Sequence, residues 1–164
     1  MALKHYLGRA ALTAALLLVL AIMPSLALAD GSKLWLEVVD RQGKTLIALP
    51  VQHRDRWCLL WNHSVAGFTV SDCFVIKHTE LWLKSSHQPD FAAGLGHLEG
   101  RGIMKSDGRG GYRIEQINEP VPNNTLILRV GSAAVDHRLR IRDKEISLSD
   151  IAARQRVMLR LTQR

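Results

Sequence analysis

Three kinds of feature are scarce in this chain of 164 residues. Only two cysteines are present, too few for a disulfide-dense scaffold, so a hydrophobic core must supply most of the stability. No segment carries a sustained helical stripe of apolar residues. One stretch alone, residues 10–23, is uncharged and strongly apolar, and its 14 residues fall short of the roughly 20 that span a bilayer. These absences favour a single domain with an ordinary hydrophobic core. They exclude a protein with several membrane spans.

The first 29 residues have the layout of a secretory signal peptide. Lys4 and Arg9 give a basic start, the apolar stretch follows, and Ala27 and Ala29 occupy the two positions that a signal peptidase reads. We expect cleavage after Ala29, with an uncleaved anchor as the alternative. The expected mature chain, residues 30–164, is a soluble periplasmic protein that does not span the membrane.

Short apolar runs that alternate with a period of two dominate residues 30–164. They are rich in β-branched and aromatic residues and are separated by turn residues. We therefore predict an all-β fold, a single antiparallel sandwich or partly closed barrel of about eight to ten short strands. One helical turn is expected at residues 149–153, with Ser149 as its cap. Between residues 85 and 111 strand signals vanish, and seven of the 12 glycines lie there.

The two cysteines lie on runs that pair as an antiparallel hairpin. If Cys58 faces Cys73, then Trp57 faces Phe74 and Leu59 faces Asp72, which leaves one face apolar except for the carboxylate. In an exported protein such a pair predicts a disulfide, and the alternative is two buried free thiols.

The hairpin supplies the first candidate site. Asp72, on the apolar face, needs a partner or an opening to water, and His63 or an arginine is the natural candidate. His63, Ser64 and Asp72 are candidate binding residues but do not predict a catalytic triad, because neighbours on a strand point to opposite faces. The backbone amides of Gly94 and Gly96 are candidates for holding a carboxylate or phosphate, and a structural loop or a partner-docking loop is the alternative.

The charge of the chain is uneven. Residues 30–128 contain eleven basic and eleven acidic side chains, whereas residues 129–164 contain nine and four. Arg138, Arg140 and Arg142 alternate with apolar residues and predict a basic stripe on one strand face; Arg154, Arg156 and Arg160 repeat the pattern. The stripe is either a solvated face or a docking surface for an acidic protein or anionic lipid.

Several chemistries are not predicted. The six histidines of the mature chain include no closely spaced pair, so no metal site is expected, although strands could bring two together. The Gly-rich segment has neither a dinucleotide fingerprint nor a P-loop, so no cofactor is expected. Nucleic acid is not an expected partner of an exported protein without a recognised binding motif.

A resemblance rests on the order of several short motifs. His63-Ser64-Val65 is followed by an acidic residue, Asp72, and then by the Gly94-Leu95-Gly96 segment. Residues 126–130 and 144–148 supply two later strands of the same pattern. The chain resembles a small bacterial family of unknown function encoded beside the TAXI subgroup of TRAP transporters. It departs from that pattern at Asp72, where the family favours Glu, and at residues 92–94, where Ala-Ala-Gly replaces Gly-Ala-Gly.

The resemblance implies an exported accessory protein of an organic-acid uptake system, with no catalytic residues to carry over. We therefore expect a protein that binds a transporter component, either the substrate-binding or the membrane subunit. The alternative is a periplasmic protein that binds a small carboxylate through arginines and glycine amides. An enzyme is not expected.

Overall fold

The computed structural model describes residues 33–63, 67–89 and 100–164. Within them, twelve strands form two sheets in which every pairing is antiparallel. The predicted signal peptide, Ser64, Gly94 and Gly96 lie outside the described residues.

The smaller sheet has four strands: β1 (Leu34–Val39), β2 (Thr45–Val51), β9 (Thr125–Arg129) and β12 (Arg156–Gln163). Their order across the sheet is β2-β1-β12-β9. The larger sheet has eight strands: β3 (Arg56–Asn62), β4 (Thr69–Lys77), β5 (Glu80–Gln88), β6 (Ile103–Ser106), β7 (Tyr112–Glu115), β8 (Glu119–Pro120), β10 (Arg138–Ile141) and β11 (Lys144–Ser147). Seven of them follow one another in the order β11-β10-β3-β4-β5-β7-β6. The short strand β8 is not part of this order and pairs with β5. Neither order closes on itself, so the all-β prediction is confirmed as two sheets and not as a closed barrel.

The main hydrophobic core contains side chains from both sheets. In the smaller sheet Leu36 lies opposite Leu161, and Val38 lies opposite Leu159. In the larger sheet the rings of Trp57 and Phe74 stack with centroids 4.4 Å apart. Every second residue of each strand points to the same side, so the period of two in the sequence becomes one apolar face on each sheet. We call these the inner faces and the opposite sides the outer faces.

The end of the larger sheet at β7 and β6 has a separate small core. Tyr112, Ile114 and Ile117 form it, with Leu83 packed against them. Ser86 of β5 lies opposite Ile114 of β7. The inner face of the larger sheet therefore has two apolar clusters, and β5 contributes to both.

The predicted hairpin is confirmed in its register. Cys58 pairs with Cys73, Trp57 with Phe74, and Leu59 with Asp72. Cys58 and Cys73 form a disulfide bond with Cα atoms 4.1 Å apart. The bond joins the two strands at the centre of the larger sheet, β3 and β4, on its outer face.

The structure differs from the sequence-based expectation in its number of strands. Twelve strands are present where eight to ten were predicted, and two of them lie partly or wholly in the segment where strand signals vanish. β5 continues to Gln88, and β6 occupies residues 103–106. All four residues of β6 are exposed, so this strand shows no alternation of apolar and polar residues.

The α-helix among the described residues, α1 (Leu148–Ala152), begins one residue earlier than predicted and has a different cap. The hydroxyl of Ser147 accepts the N–H of Asp150, so Ser147 is the cap. Ser149 instead accepts the N–H of His137 and donates to the carbonyl of Gly131. No helix in the described ranges has the length and apolarity that a membrane crossing requires.

The disulfide yields the first prediction. It closes a loop with a sequence separation of 15, which the chain-entropy model values at about 3 kcal/mol. Replacing both Cys58 and Cys73 by Ala should lower the free energy of unfolding by about that amount. Urea unfolding of the wild type with and without reductant is the matched measurement. Equal midpoints for oxidised and reduced protein would contradict the prediction.

Candidate functional site

Asp72 lies on the inner face of the larger sheet in a polar network. Its neighbours across the sheet are Leu59 of β3 and Ser86 of β5. The hydroxyl of Ser86 donates to Asp72 Oδ1 at 2.6 Å, and the amide Nε2 of Gln88 donates to Ser86 Oγ at 2.7 Å. Ser86 and Gln88 are both buried. We call these three residues the Asp72 network.

Burial raises the pKa of Asp72 above its ordinary value of 3.8. The hydrogen bond from Ser86 and the charge of Arg101 both lower the pKa, but by less than burial raises it. Arg101 is itself held by Glu119 through two contacts of 2.9 Å. The expectation of an arginine or His63 as the partner is thus met only in part, because the hydrogen-bond donor is Ser86 and Arg101 acts through its charge.

A second hydrogen-bonded cluster lies on the outer side of β5. His87 Nε2 lies 2.9 Å from Asp107 Oδ2, while Asp107 Oδ1 accepts the backbone N–H groups of Arg109 at 2.7 Å and Gly111 at 2.9 Å. The hydrogen bond from His87, followed by that from Arg109, holds the pKa of Asp107 below 3.8. An ionised carboxylate only accepts hydrogen bonds, so we assign the proton to His87 Nε2.

Gly111 is required for this arrangement. A Cβ atom at position 111 would lie 2.6 Å from Asp107 Oδ2 and 2.8 Å from the carbonyl oxygen of Gln88. Because both distances are far shorter than a van der Waals contact, a larger residue would displace the carboxylate from His87.

His87 and Asp107 line an open pocket of about 400 Å³, which we call the His87 pocket. The ring of Phe68 meets the ring of His87 edge to face, with centroids 4.7 Å apart. The remaining lining includes Lys105, Arg109, Arg113 and Glu115.

Charge in this pocket is only partly neutralised. Lys105 pairs with Glu115 at 2.6 Å. Arg113 lies opposite both His87 and Lys105 in the sheet register. Arg109 and Arg113 are exposed, and neither forms an ion pair with a described residue. The pocket thus combines an aromatic ring, an oriented imidazole and two available guanidinium groups.

The predicted stripe of Arg138, Arg140 and Arg142 does not form one strand face. Arg142 follows the end of β10 in a turn with φ of 52°, where its guanidinium contacts Asp55, so its placement on the stripe is wrong. Arg138 lies 3.3 Å from both Asp136 and Glu145. Arg140 remains exposed on β10.

The second predicted series of arginines, Arg154, Arg156 and Arg160, is also divided between two places. Arg160 and Arg164 contact the buried carboxylate of Glu37 at 3.0 and 2.9 Å, so they serve the fold of the smaller sheet. Arg154 and Arg156 instead line a cleft of about 400 Å³ on the smaller sheet. We call it the arginine cleft, and its lining is Arg41, Gln42, Arg129, Arg154, Gln155 and Arg156.

Sequence reasoning missed Arg41 and Arg129 in this cleft, and Ser86, His87 and Asp107 at the other site. Arg129 lies opposite Arg156 only because β9 pairs with β12. The sequence has no local signal for that pairing.

Among the described residues, no group of three or more His, Cys, Asp and Glu side chains is arranged to hold a metal ion. Two described histidines, His53 and His78, stack with ring centroids 4.7 Å apart. His53 Nδ1 accepts the backbone N–H of His78 at 2.9 Å, so this nitrogen is already engaged.

The raised pKa of Asp72 generates a prediction about pH. The unfolded chain loses the Asp72 proton near pH 3.8, whereas the folded protein keeps it to a higher pH. The free energy of unfolding therefore falls as the pH rises from 3.8 through the raised pKa of Asp72. The Asp72→Asn variant should be more stable than the wild type at neutral pH, and the difference should vanish below pH 3.8. Urea unfolding at neutral and acidic pH measures this. Asp143→Asn, an exposed position, is the control; a destabilised Asp72→Asn variant at neutral pH would refute the prediction.

Comparison with known proteins identifies a family but no characterised relative. No curated protein and no solved structure matches the chain. A family model described as a domain of unknown function, DUF1850, matches residues 58–148, a range that contains both cysteines of the hairpin, the Asp72 network and the His87 pocket. The resemblance to a family of unknown function is confirmed to that extent, and the description names no transporter. Since the match covers more than half of the sequence, the chain belongs to the DUF1850 family.

Proposed function

We propose that this protein is an exported accessory protein of a TAXI-type TRAP uptake system for organic acids and that it acts by binding a transporter component. Its association with that transporter rests on the sequence motifs around His63 and Asp72. Export to the periplasm is supported by the Cys58–Cys73 disulfide, because such bonds persist in oxidising compartments.

The His87 pocket is the observation that carries the binding role. It presents the half-buried ring of Phe68 beside the exposed guanidinium groups of Arg109 and Arg113. Aromatic and arginine side chains are enriched among the residues that dominate protein interfaces. The neighbouring edge strand β6 adds the exposed apolar side chain of Ile103, which lies opposite Glu115 on the same face of the sheet. Together they form a mixed apolar and basic surface at one edge of the larger sheet.

The charge of this surface selects the kind of partner. Lys105 pairs with Glu115, and Asp107 accepts hydrogen bonds from His87 and two backbone amides, so the exposed charged side chains without an ion pair to a described residue are those of Arg109 and Arg113. We therefore propose that the transporter component offers carboxylates to these two arginines. His87 is held in one orientation by Asp107 and provides a rigid wall for the contact.

We propose no catalytic step at the His87 pocket. The hydroxyl of Ser106, which also lines it, accepts the backbone N–H of Gly108 at 3.2 Å within the turn. A nucleophile must instead direct its oxygen at the catalytic base. The imidazole of His87 therefore has an orienting carboxylate but no activated nucleophile among the residues described around it.

The proposed function predicts an ionic contact with the transporter. The wild-type protein should co-purify with the substrate-binding or membrane subunit at low salt and be released at high salt, since exposed ion pairs are screened. The Arg109→Glu and Arg113→Glu variants should lose this association. Both side chains are exposed, so the variants should retain the fold, which thermal unfolding verifies.

Arg140→Glu is the matched control, because Arg140 is exposed on the same sheet but lies on β10, far across the strand order. It should bind as the wild type does. If the wild type associates with neither subunit at low salt, or if all three variants bind equally, the proposed function is wrong.

A further inference from the structure

We infer that the arginine cleft binds a small anion carrying two or more carboxylate or phosphate groups. This site is on the smaller sheet, and three of its four arginines lie outside the residues matched by the family model. The inference is therefore independent of the proposed transporter contact.

Three chain segments build the cleft. Arg129 ends β9, Arg156 begins β12, and the two lie directly opposite each other. Arg154 precedes β12 in the connection from α1, and its backbone N–H donates to Val130 at 2.9 Å. Arg41 comes from the turn between β1 and β2. The carboxylate of Asp40 shapes that turn by accepting the N–H groups of residues 42 and 44, both at 2.9 Å.

The cleft concentrates uncompensated positive charge. None of its four arginines forms an ion pair within the described part of the chain, and all four are exposed. Three arginines elsewhere in the protein differ in this respect. Arg101 pairs with Glu119, Arg142 with Asp55, and Arg160 with Glu37. A carboxylate or phosphate group entering the cleft would find guanidinium donors that no protein acid occupies.

Three of these arginines occupy positions where stability favours another residue. Like charges directly opposite each other on paired strands are destabilising, and Arg129 faces Arg156. Arg154 has φ of 63°, in the left-handed region that glycine and asparagine adopt at least cost. A bound anion would offset the charge repulsion. Anion binding therefore accounts for the opposition of Arg129 and Arg156, which folding alone disfavours.

The lining defines the class of ligand. Guanidinium groups bind carboxylates and phosphates through paired hydrogen bonds. The other described side chains that line the cleft are the amides of Gln42 and Gln155, so the cleft suits a predominantly polar ligand. The cleft volume of about 400 Å³ lies in the range of small-ligand sites. Short di- and tricarboxylates and small phosphate compounds share this chemistry.

Titration calorimetry on the purified, disulfide-bonded protein tests the inference. Citrate, succinate and pyrophosphate are the probes, and acetate at equal ionic strength is the monovalent control. At least one probe should bind saturably with one site per chain and raise the melting temperature, whereas acetate should do neither. Preference for citrate and succinate over pyrophosphate identifies a carboxylate ligand, and the reverse identifies a phosphate ligand.

Two variants separate binding from folding. Arg129→Glu places opposite charges across the β9–β12 pair, so it should keep or raise the melting temperature without ligand while abolishing anion binding. Arg154→Asn suits the left-handed backbone and should weaken binding roughly tenfold or more without loss of stability.

Arg140→Gln is the control, because it removes an exposed arginine from the other sheet. It should leave the affinity unchanged. The inference is overturned if no multivalent probe binds saturably to the wild type, if both cleft variants bind as the wild type does, or if Arg140→Gln weakens binding equally. None of these results bears on association with the transporter, so failure here is distinguishable from failure of the proposed function.

Discussion

The pairing of β3 with β4 is the interaction on which the rest of the structure depends. These two strands lie at the centre of the larger sheet, and the disulfide joins them in one register. That register stacks Trp57 on Phe74 in the main core and places Asp72 on the same face. A slip of β4 by one residue against β3 would move Phe74 to the outer face and turn Cys73 towards the core.

Strand β5 contributes neighbouring residues to two chemically distinct sites. Ser86 is opposite Asp72 and points inward, whereas His87 is opposite Ser71 and points outward. Adjacent residues of one strand thereby contribute to a buried network and to an exposed pocket. The buried network lies between the two apolar clusters of the inner face, because Asp72 is opposite Leu59 of the main core and Ser86 is opposite Ile114 of the small core.

The arginines fall into two groups, those in structural ion pairs and those without an acidic partner among the described residues. Some hold the fold, as Arg160 and Arg164 do by covering the buried carboxylate of Glu37. Others, in the arginine cleft and at Arg109 and Arg113, lack such acids among the described residues. The basic excess of the C-terminal quarter is therefore no single surface. It is divided between structural ion pairs, such as those of Arg160 and Arg164, and the arginine cleft, to which Arg129, Arg154 and Arg156 belong.

Prediction from the sequence succeeded where the signal is local. Alternation of apolar residues indicated the all-β class, and the facing of Trp57 with Phe74 indicated the hairpin register and the disulfide. It failed for β6, whose four residues are all exposed and therefore carry no alternation. It also failed for Arg142, because a two-residue turn ends the strand before that side chain.

By itself, the sequence determined which residues alternate, where the hairpin turns and which cysteines meet, because these depend on neighbours within one strand pair. Only the tertiary structure decided that Ser86 bonds Asp72, that Asp107 orients His87 and that Arg129 faces Arg156. Each of these contacts joins strands whose adjacency follows from the order of the whole sheet. That order is set by the packing of two apolar faces against each other, which no single segment encodes.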